Sequence, residues 1–456
     1  MTDNLALIKD YQIKGSNFIV EHGGRALLAD EPGAGKTVQA LHAVMRMDTF
    51  PVLIFVINPG LFVWQDELEF WYDKPSVVYT GNKEERNKEY HNFIHSDCKF
   101  LIANYFFIEE LTSIFPLGYW KTLIMDEYHI MGLSNHRTDR YKNIFPSVKK
   151  AESVIPLTGS PMRRNLADLF APFKMIAPEK HSSYWRYVKT HCLVTEDHFG
   201  KTIEAMPKHP KEFDDYRKQY MIRRMKKDIM PELPPKTRQV IPVYMTPEQK
   251  KLYDMMDKTL MIDYKGKLII AQNRAVRFLR LRQLLITPQI LGFDIIGAGL
   301  EMAKALIEVE FSNGNPVALF TAFKVNCIQP IIKYLRKCLP NTVFFYLHGG
   351  MPPRKAKENY KGFQDAQTHR KVFVGVIKSG MSITLTAAKV SIFLGPELTS
   401  EENSQAEDRL HRQGATGNIR CLYILYRDDP VDDRIKEILN TKQHNIDWGL
   451  NTSDFI

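Results

Sequence analysis

The chain has 456 residues, 44 % hydrophobic and 25 % charged, enough for two or a few domains that each bury a core. Lys and Arg number 62 against 52 Asp and Glu, and the net charge of +10 suits a polyanionic partner. It has no run of about eighteen apolar residues, no signal-like start and, at Cys98, Cys192, Cys327, Cys338 and Cys421, no CxxC or zinc spacing; it reads as a soluble intracellular protein with free thiols.

In chain order, the first informative element is the apolar run 26–29, followed by Asp30-Glu31-Pro32-Gly33-Ala34-Gly35-Lys36-Thr37 and a helical stretch over 38–47. Strand, glycine-rich loop and helix in this order form a phosphate cradle: glycine frees backbone N–H groups, and the helix N-terminus adds partial positive charge. Residues 33–37 are therefore expected to hold nucleotide phosphates, with Lys36 on the β- and γ-phosphates and the Thr37 hydroxyl on Mg²⁺. Asp30 stands where the usual leading glycine would be.

Further strands are expected at 52–57, 99–103, 121–125 and 153–157. Asp126-Glu127-Tyr128-His129 follows the strand at 121–125, at the carboxyl end where open α/β sheets place their ligands. Asp126 is expected to hold Mg²⁺ and Glu127 to orient and deprotonate the attacking water. The stretch 179–290 is poor in β-rich runs and carries two basic sets. Eight basic residues lie between Arg217 and Arg238, and Arg274, Arg277 and Arg280 recur every three residues beside Arg282. The Pro-rich string 231–236 reads as a stiff connector. A second series of strands is expected at 316–321, 342–347, 371–376, 390–394 and 419–425, so both halves alternate strands with helices, as parallel, helix-covered sheets require. Near the end, Gln405, Arg409 and Arg412 share one short string.

Together these strings resemble the Swi/Snf-type ATPases of helicase superfamily two, over nearly the whole chain. LIKDYQIKGSNFI at 7–19 is similar to the Q-motif, LADEPGAGKTVQAL to the phosphate loop and LTGSPMRRNLADLF at 157–170 to motif III. MIRRMKKDIMPELPPKTRQV at 221–240 resembles the family's basic segment before LPPK, and SQAEDRLHRQG resembles motif VI. The family's motif V is rich in glycine and ends in Asn-Leu-Thr-Ala-Ala; here it reads SGMSITLTAA at 379–388, with Ser382 and Thr384 as departures.

The resemblance implies an α/β fold of two tandem RecA-like parallel-sheet lobes with helical protrusions between them. The expected domains are lobe 1 at 1–178, basic helical protrusions and connector at 179–290, lobe 2 at 291–440 and a tail at 441–456. It implies ATP and Mg²⁺ as cofactors and Gln12 as the reader of adenine. Arg409 and Arg412 would stabilise the transferring γ-phosphoryl group when the lobes close, with Gln405 helping to position the water. Nucleic acid would contact Trp64, Asn104, Tyr105 and Thr158 on the first lobe. On the second lobe the implied contacts are Thr321, His348, Gly349, Arg354, Ser379 and Thr384.

The expected activity is ATP-driven translocation on duplex or branched DNA, by a minimal motor that acts as a monomer and has no membrane partner. A bacterial or phage-host cytoplasm is the expected setting, with the nucleus as alternative. Competing readings are a strand-separating DNA or RNA helicase and a nucleic-acid scaffold with a vestigial ATPase.

Overall fold

The protein's computed structural model describes residues 3–197, 200–323, 325–379, 382–427, 429–430 and 432–433. The chain divides into two compact units that meet in sequence between Pro231 and Glu232. The first contributes β1 (Leu27–Leu28), β2 (Val52–Val56), β3 (Ser76–Tyr79), β4 (Phe100–Asn104), β5 (Thr122–Asp126) and β6 (Ser153–Leu157), then β7 (Cys192–Asp197), β8 (Gly200–Pro207) and β9 (Met221–Ile222). Seven of these form one parallel sheet in the order β3-β4-β2-β5-β6-β1-β9, while β7 and β8 pair as an antiparallel hairpin.

Every residue of β2, β4 and β6 is buried, as expected for parallel strands covered by helices on both faces. The strand order sets the chemistry. Because β6 lies between β5 and β1, the loops leaving their carboxyl ends carry Asp126–His129, Thr158 and the glycine loop side by side. That edge is where a parallel sheet collects ligands.

The second unit contributes β10 (Lys236–Val243), the hairpin strands β11 (Met261–Tyr264) and β12 (Lys267–Ile270), β13 (Val317–Thr321), β14 (Val343–Leu347), β15 (Lys371–Val376), β16 (Val390–Leu394) and β17 (Ile419–Tyr426). Its parallel sheet runs β10-β17-β16-β13-β15-β14. Pro242 is accommodated because β10 is an edge strand, where a missing N–H breaks no central ladder.

The stretch 179–290 is not a separate helical insert. It is shared between the units, giving β9 to the first sheet and β10 to the second, with a hairpin in each half. Its strands are hard to read from pattern because β9 has two residues and β10 opens with the polar Lys236-Thr237-Arg238-Gln239 and exposes most of its residues. The basic repeat does lie on a helix, Arg274–Ile286. Arg282 turns inward there, donating to the Pro396 carbonyl at 2.5 Å with its guanidinium over the Phe323 ring.

Cys98, Cys192, Cys338 and Cys421 are free thiols, three of them buried; the Cys327 side chain and the tail at 441–456 lie outside the described residues. Among the described residues no helix is long and apolar enough to cross a membrane.

Candidate nucleotide site

The glycine loop has the backbone its sequence demands. Gly33 (φ +88°) and Gly35 (φ +69°) both occupy the left-handed region, and Gly35 caps the helix Lys36–Met47. A Cβ on Gly35 would lie 2.3 Å from Gln12 Nε2, so the Gln12 amide rests directly on the glycine loop. Lys36 is buried, and its ammonium donates to the loop's own carbonyls, Asp30 at 2.8 Å and Glu31 at 3.4 Å. Those neutral acceptors hold the cation at the cradle, where phosphate oxygens would compete for it with full negative charge. Ala34 is buried and Thr37 half-buried at the head of the same helix.

At the end of β5, Asp126 Oδ2 accepts the Trp64 indole N–H at 2.9 Å, and its carbonyl accepts the Tyr105 hydroxyl at 2.6 Å. Glu127 sits in the left-handed region (φ +49°), a conformation that costs a branched or bulky side chain and collects at functional sites. Its carboxylate is buried, with Oε2 3.5 Å from His129 Nδ1 and no hydrogen-bond partner at that oxygen. His129 Nδ1 in turn lies 2.7 Å from Thr158 Oγ1, which also accepts the Ser160 N–H at 2.9 Å. One chain of contacts thus runs from the acidic box through His129 into the 157–170 motif. His129 was quoted in the sequence only as part of its box; its role emerges because β5 and β6 are neighbours.

A single hydroxyl (Thr37) and a single carboxylate (Asp126) make a hard oxygen donor set. It fits Mg²⁺, which binds few protein ligands and keeps several waters.

Four expected nucleic-acid contacts on the first unit are corrected. Trp64 and Tyr105 are buried and spend their polar atoms on Asp126, with Tyr105 also stacked on Phe55. Asn104 is buried, donating to Asn58 Oδ1 and capping the turn at Phe106. Thr158 is fully buried against His129. None presents its side chain to solvent; Trp64 and Tyr105 contact Asp126, Thr158 contacts His129, and Asn104 braces the turn after β4.

On the second unit Thr321 is likewise fully buried. Gly349 and Arg354 are exposed, while His348, Ser379 and Thr384 are half-buried. Residues 380–381 of the 379–388 motif lie outside the described residues.

The arginine motif departs from expectation in two ways. The helix Ser400–Glu407 ends before Arg409, so Gln405 and Arg409 do not share a helical face. Gln405 is buried and its amide lies 3.4 Å from Glu401. Arg409 is itself wholly buried: its guanidinium donates to the Ile377 carbonyl and lies over the Phe320 ring, and burial lowers its pKa to about 9. Arg412 remains half-buried, donating from Nε to the Asp408 carbonyl at 2.9 Å and lying 3.4 Å from Thr384 Oγ1. Thr384, a departure in the sequence motif, is thereby an orienting contact for Arg412.

Behind this motif sits Glu407, a buried carboxylate with four donors. Oε1 accepts Arg238 Nε and the Tyr423 hydroxyl, both at 2.7 Å; Oε2 takes Arg238 Nη2 at 2.8 Å and Lys236 Nζ at 3.0 Å. Burial pushes its pKa up, but Lys236 and Arg238 outweigh that and hold it below the usual carboxylate range. Removing one partner of a buried pair typically costs about 3–5 kcal/mol, and the half-exposed Arg238 argues for the lower end. Glu407→Ala is therefore expected to cost about 3 kcal/mol, read as roughly 10²-fold faster amide exchange along the β10–β17 ladder. Since the folded pKa is depressed, the stabilisation is present above the unfolded carboxyl pKa and lost as pH falls below it.

Residues 11–290 match the SNF2-related domain family and residues 300–414 the helicase conserved C-terminal domain. The chain is similar to the DNA annealing helicase and endonuclease ZRANB3 of Bos taurus, with 25 % identity over 452 residues, 96 % of this chain and 40 % of that protein. It is also similar to the chromatin structure-remodeling complex subunit snf21 of Schizosaccharomyces pombe, at 25 % identity over 464 residues, covering 94 % and 38 %. The solved Sulfolobus solfataricus SWI2/SNF2 ATPase core in complex with dsDNA is similar at 22 % identity and a TM-score of 0.44, over 96 % of this chain and 92 % of that one. The chain spans 28 % to 42 % of the length of the curated relatives compared.

Proposed function

We propose, from the premise that this chain belongs to the SNF2-related domain family, that it is an ATP-driven translocase acting on duplex or branched DNA. The observation that carries this reading is the nucleotide edge of the first unit. There a glycine cradle with a buried lysine, a carboxylate pair and a His129–Thr158 link follow from three adjacent strands. A binding scaffold with a decayed ATPase would have no reason to keep Glu127 in a strained backbone with a buried, unbonded carboxylate oxygen.

In the proposed reaction Lys36 and the N–H groups of residues 33–37 bind the β- and γ-phosphates. Thr37 and Asp126 would hold Mg²⁺, which when bound would neutralise charge on the phosphate oxygens. Trp64 fixes the direction of the Asp126 carboxylate, as outer partners orient a ligating group, while Tyr105 pins the Asp126 backbone carbonyl. Glu127 accepts a proton from the attacking water at its carboxylate, and Arg412 stabilises charge on the γ-phosphoryl group. DNA is gripped through its backbone, with the His348-Gly349-Gly350 turn and the exposed Arg354 contributing, together with Ser379 and Thr384; backbone contacts suit a motor that must tolerate any sequence. The protein acts as a monomer, in the reducing interior of a cell. The relative's name describes DNA annealing, and strand reannealing or branch migration is the outcome we assign here too.

The test is steady-state ATP hydrolysis without nucleic acid, then with single-stranded, duplex and forked DNA and with duplex RNA, Glu127→Gln serving as the blank. Stimulation greatest with duplex or forked DNA is expected. Equal stimulation by duplex RNA would replace DNA as the assigned track, and turnover equal to the blank in every condition would leave a binding scaffold.

A further inference from the structure

The basic string 221–228 is the obvious place for nucleic acid to bind, yet its arginines point into the first unit. Arg224 makes a two-pronged contact with the fully buried Asp30, Nε to Oδ1 at 3.0 Å and Nη2 to Oδ2 at 2.5 Å. Its Nη2 also donates to Gln39 Oε1 at 3.0 Å, and its Nη1 donates to the Tyr11 carbonyl at 2.6 Å. Gln39 closes the network, donating to Asp30 at 3.2 Å and to the Ala34 carbonyl at 3.1 Å. The backbone joins in: Glu31 N–H donates to the Arg224 carbonyl, and the Lys226 N–H donates to the Glu31 carboxylate at 2.5 Å. Arg223 spans the Ala29 and Gly159 carbonyls.

One guanidinium therefore joins the segment before Gln12 to the residue that replaces the leading glycine of the phosphate loop. The fit is tight. A Cβ on Gly15 would fall 1.8 Å from Gln39 Oε1 and 2.9 Å from Arg224 Nη2, so only glycine lets this helix approach the network.

We propose that Arg224 is a positioning residue for nucleotide selection: it fixes Tyr11–Gln12 against Asp30, setting the distance between base-reading and phosphate-binding groups. This rests on the reading of residues 33–37 as an ATP site. Its consequence is specific. Loss of Arg224 loosens the base reader while leaving Lys36, Asp126 and Glu127 in place, so affinity and base discrimination fall while the chemical step is retained. Arginine is needed because a lysine can neutralise Asp30 but cannot bridge Asp30, Gln39 and the Tyr11 carbonyl together.

The experiment measures equilibrium binding of ATP and GTP, and kcat and KM for each, on the full chain as wild type, Arg224→Gln and Arg224→Lys. Thermal melting follows each variant, and the lysine variant stands in if the glutamine variant does not fold. Losing charge-assisted hydrogen bonds of this kind corresponds to roughly tenfold or more in affinity. The expected result is a rise in the Kd and KM for ATP of roughly that size, a preference for ATP over GTP that shrinks toward unity in both variants, and a kcat within about threefold of wild type. An unchanged ATP-to-GTP preference, whatever happens to the melting temperature, would overturn the proposal and leave Arg224 as a stabilising strut. Failure of the wild type to bind or hydrolyse ATP would instead strike the underlying ATP-site reading.

Discussion

Glu127→Gln should lower nucleic-acid-stimulated ATP turnover by about 10²–10⁴-fold, the range a positioned general base contributes, with nucleotide affinity nearly unchanged. The substitution is almost isosteric, so the left-handed backbone at φ +49° and the buried setting beside His129 persist. What disappears is the carboxylate that accepts a proton from water. The proposed phosphate contacts are the glycine loop and Lys36, whose ammonium is held by the Asp30 and Glu31 carbonyls and not by Glu127. The measurement is paired: turnover by product release, and ATP affinity by equilibrium titration. Loss of kcat with an unchanged Kd marks an interaction made only in the transition state. A variant retaining more than a tenth of wild-type turnover would remove Glu127 from the chemical step, and His129, the neighbouring ionisable group bonded to Thr158, would be next to test.

Much of this edge was legible in the sequence because local pattern and chemistry coincide there. The apolar runs that become β2, β5 and β6 are flanked by turn residues, and the glycine loop requires positive φ at positions only glycine adopts cheaply. What sequence could not give was direction. The family resemblance implies Trp64 and Tyr105 as nucleic-acid contacts, but their polar atoms serve Asp126 across sheet neighbours far away in the chain.

The same holds for the basic segment at 221–228. Net charge marks it as a polyanion contact, yet Arg223 and Arg224 are consumed by carbonyls and by Asp30, close to two hundred residues earlier. The pattern had one legible clue. A charged Asp30 in place of a glycine, deep in an apolar context, needs a cation, and a buried carboxylate without one would be costly. Likewise nothing local in the string 405–412 marks Glu407 and Asp408 as paired groups. Only the pairing of β10 with β17 shows that Lys236 and Arg238, from the connector, supply their counter-charges.

Arg412→Ala should cost about 10³–10⁵-fold in stimulated turnover, the range for an arginine that stabilises a transferring phosphoryl group, while leaving the second unit folded. Its contacts include the Asp408 carbonyl and the Thr384 hydroxyl, neutral acceptors at a half-buried position whose loss costs little stability. Arg409 should behave in the opposite sense. It lies in the interior against Phe320, its burial lowers its pKa, and its Nε finds no partner. A buried charge held this way gains little net stability, and replacing it with an apolar residue of similar length is often neutral or stabilising. Arg409→Met is therefore expected to melt at or above the wild-type temperature and to lose far less turnover than Arg412→Ala. Side-by-side kinetics and melting of the two variants decide the matter. If Arg409→Met lost as much turnover as Arg412→Ala while remaining folded, Arg409 would have to leave its buried position during the catalytic cycle and both arginines would act on the phosphoryl group. If Arg412→Ala turned over normally, the charge on that group would have to be met from elsewhere, and the half-buried contact to Thr384 would be a packing interaction alone.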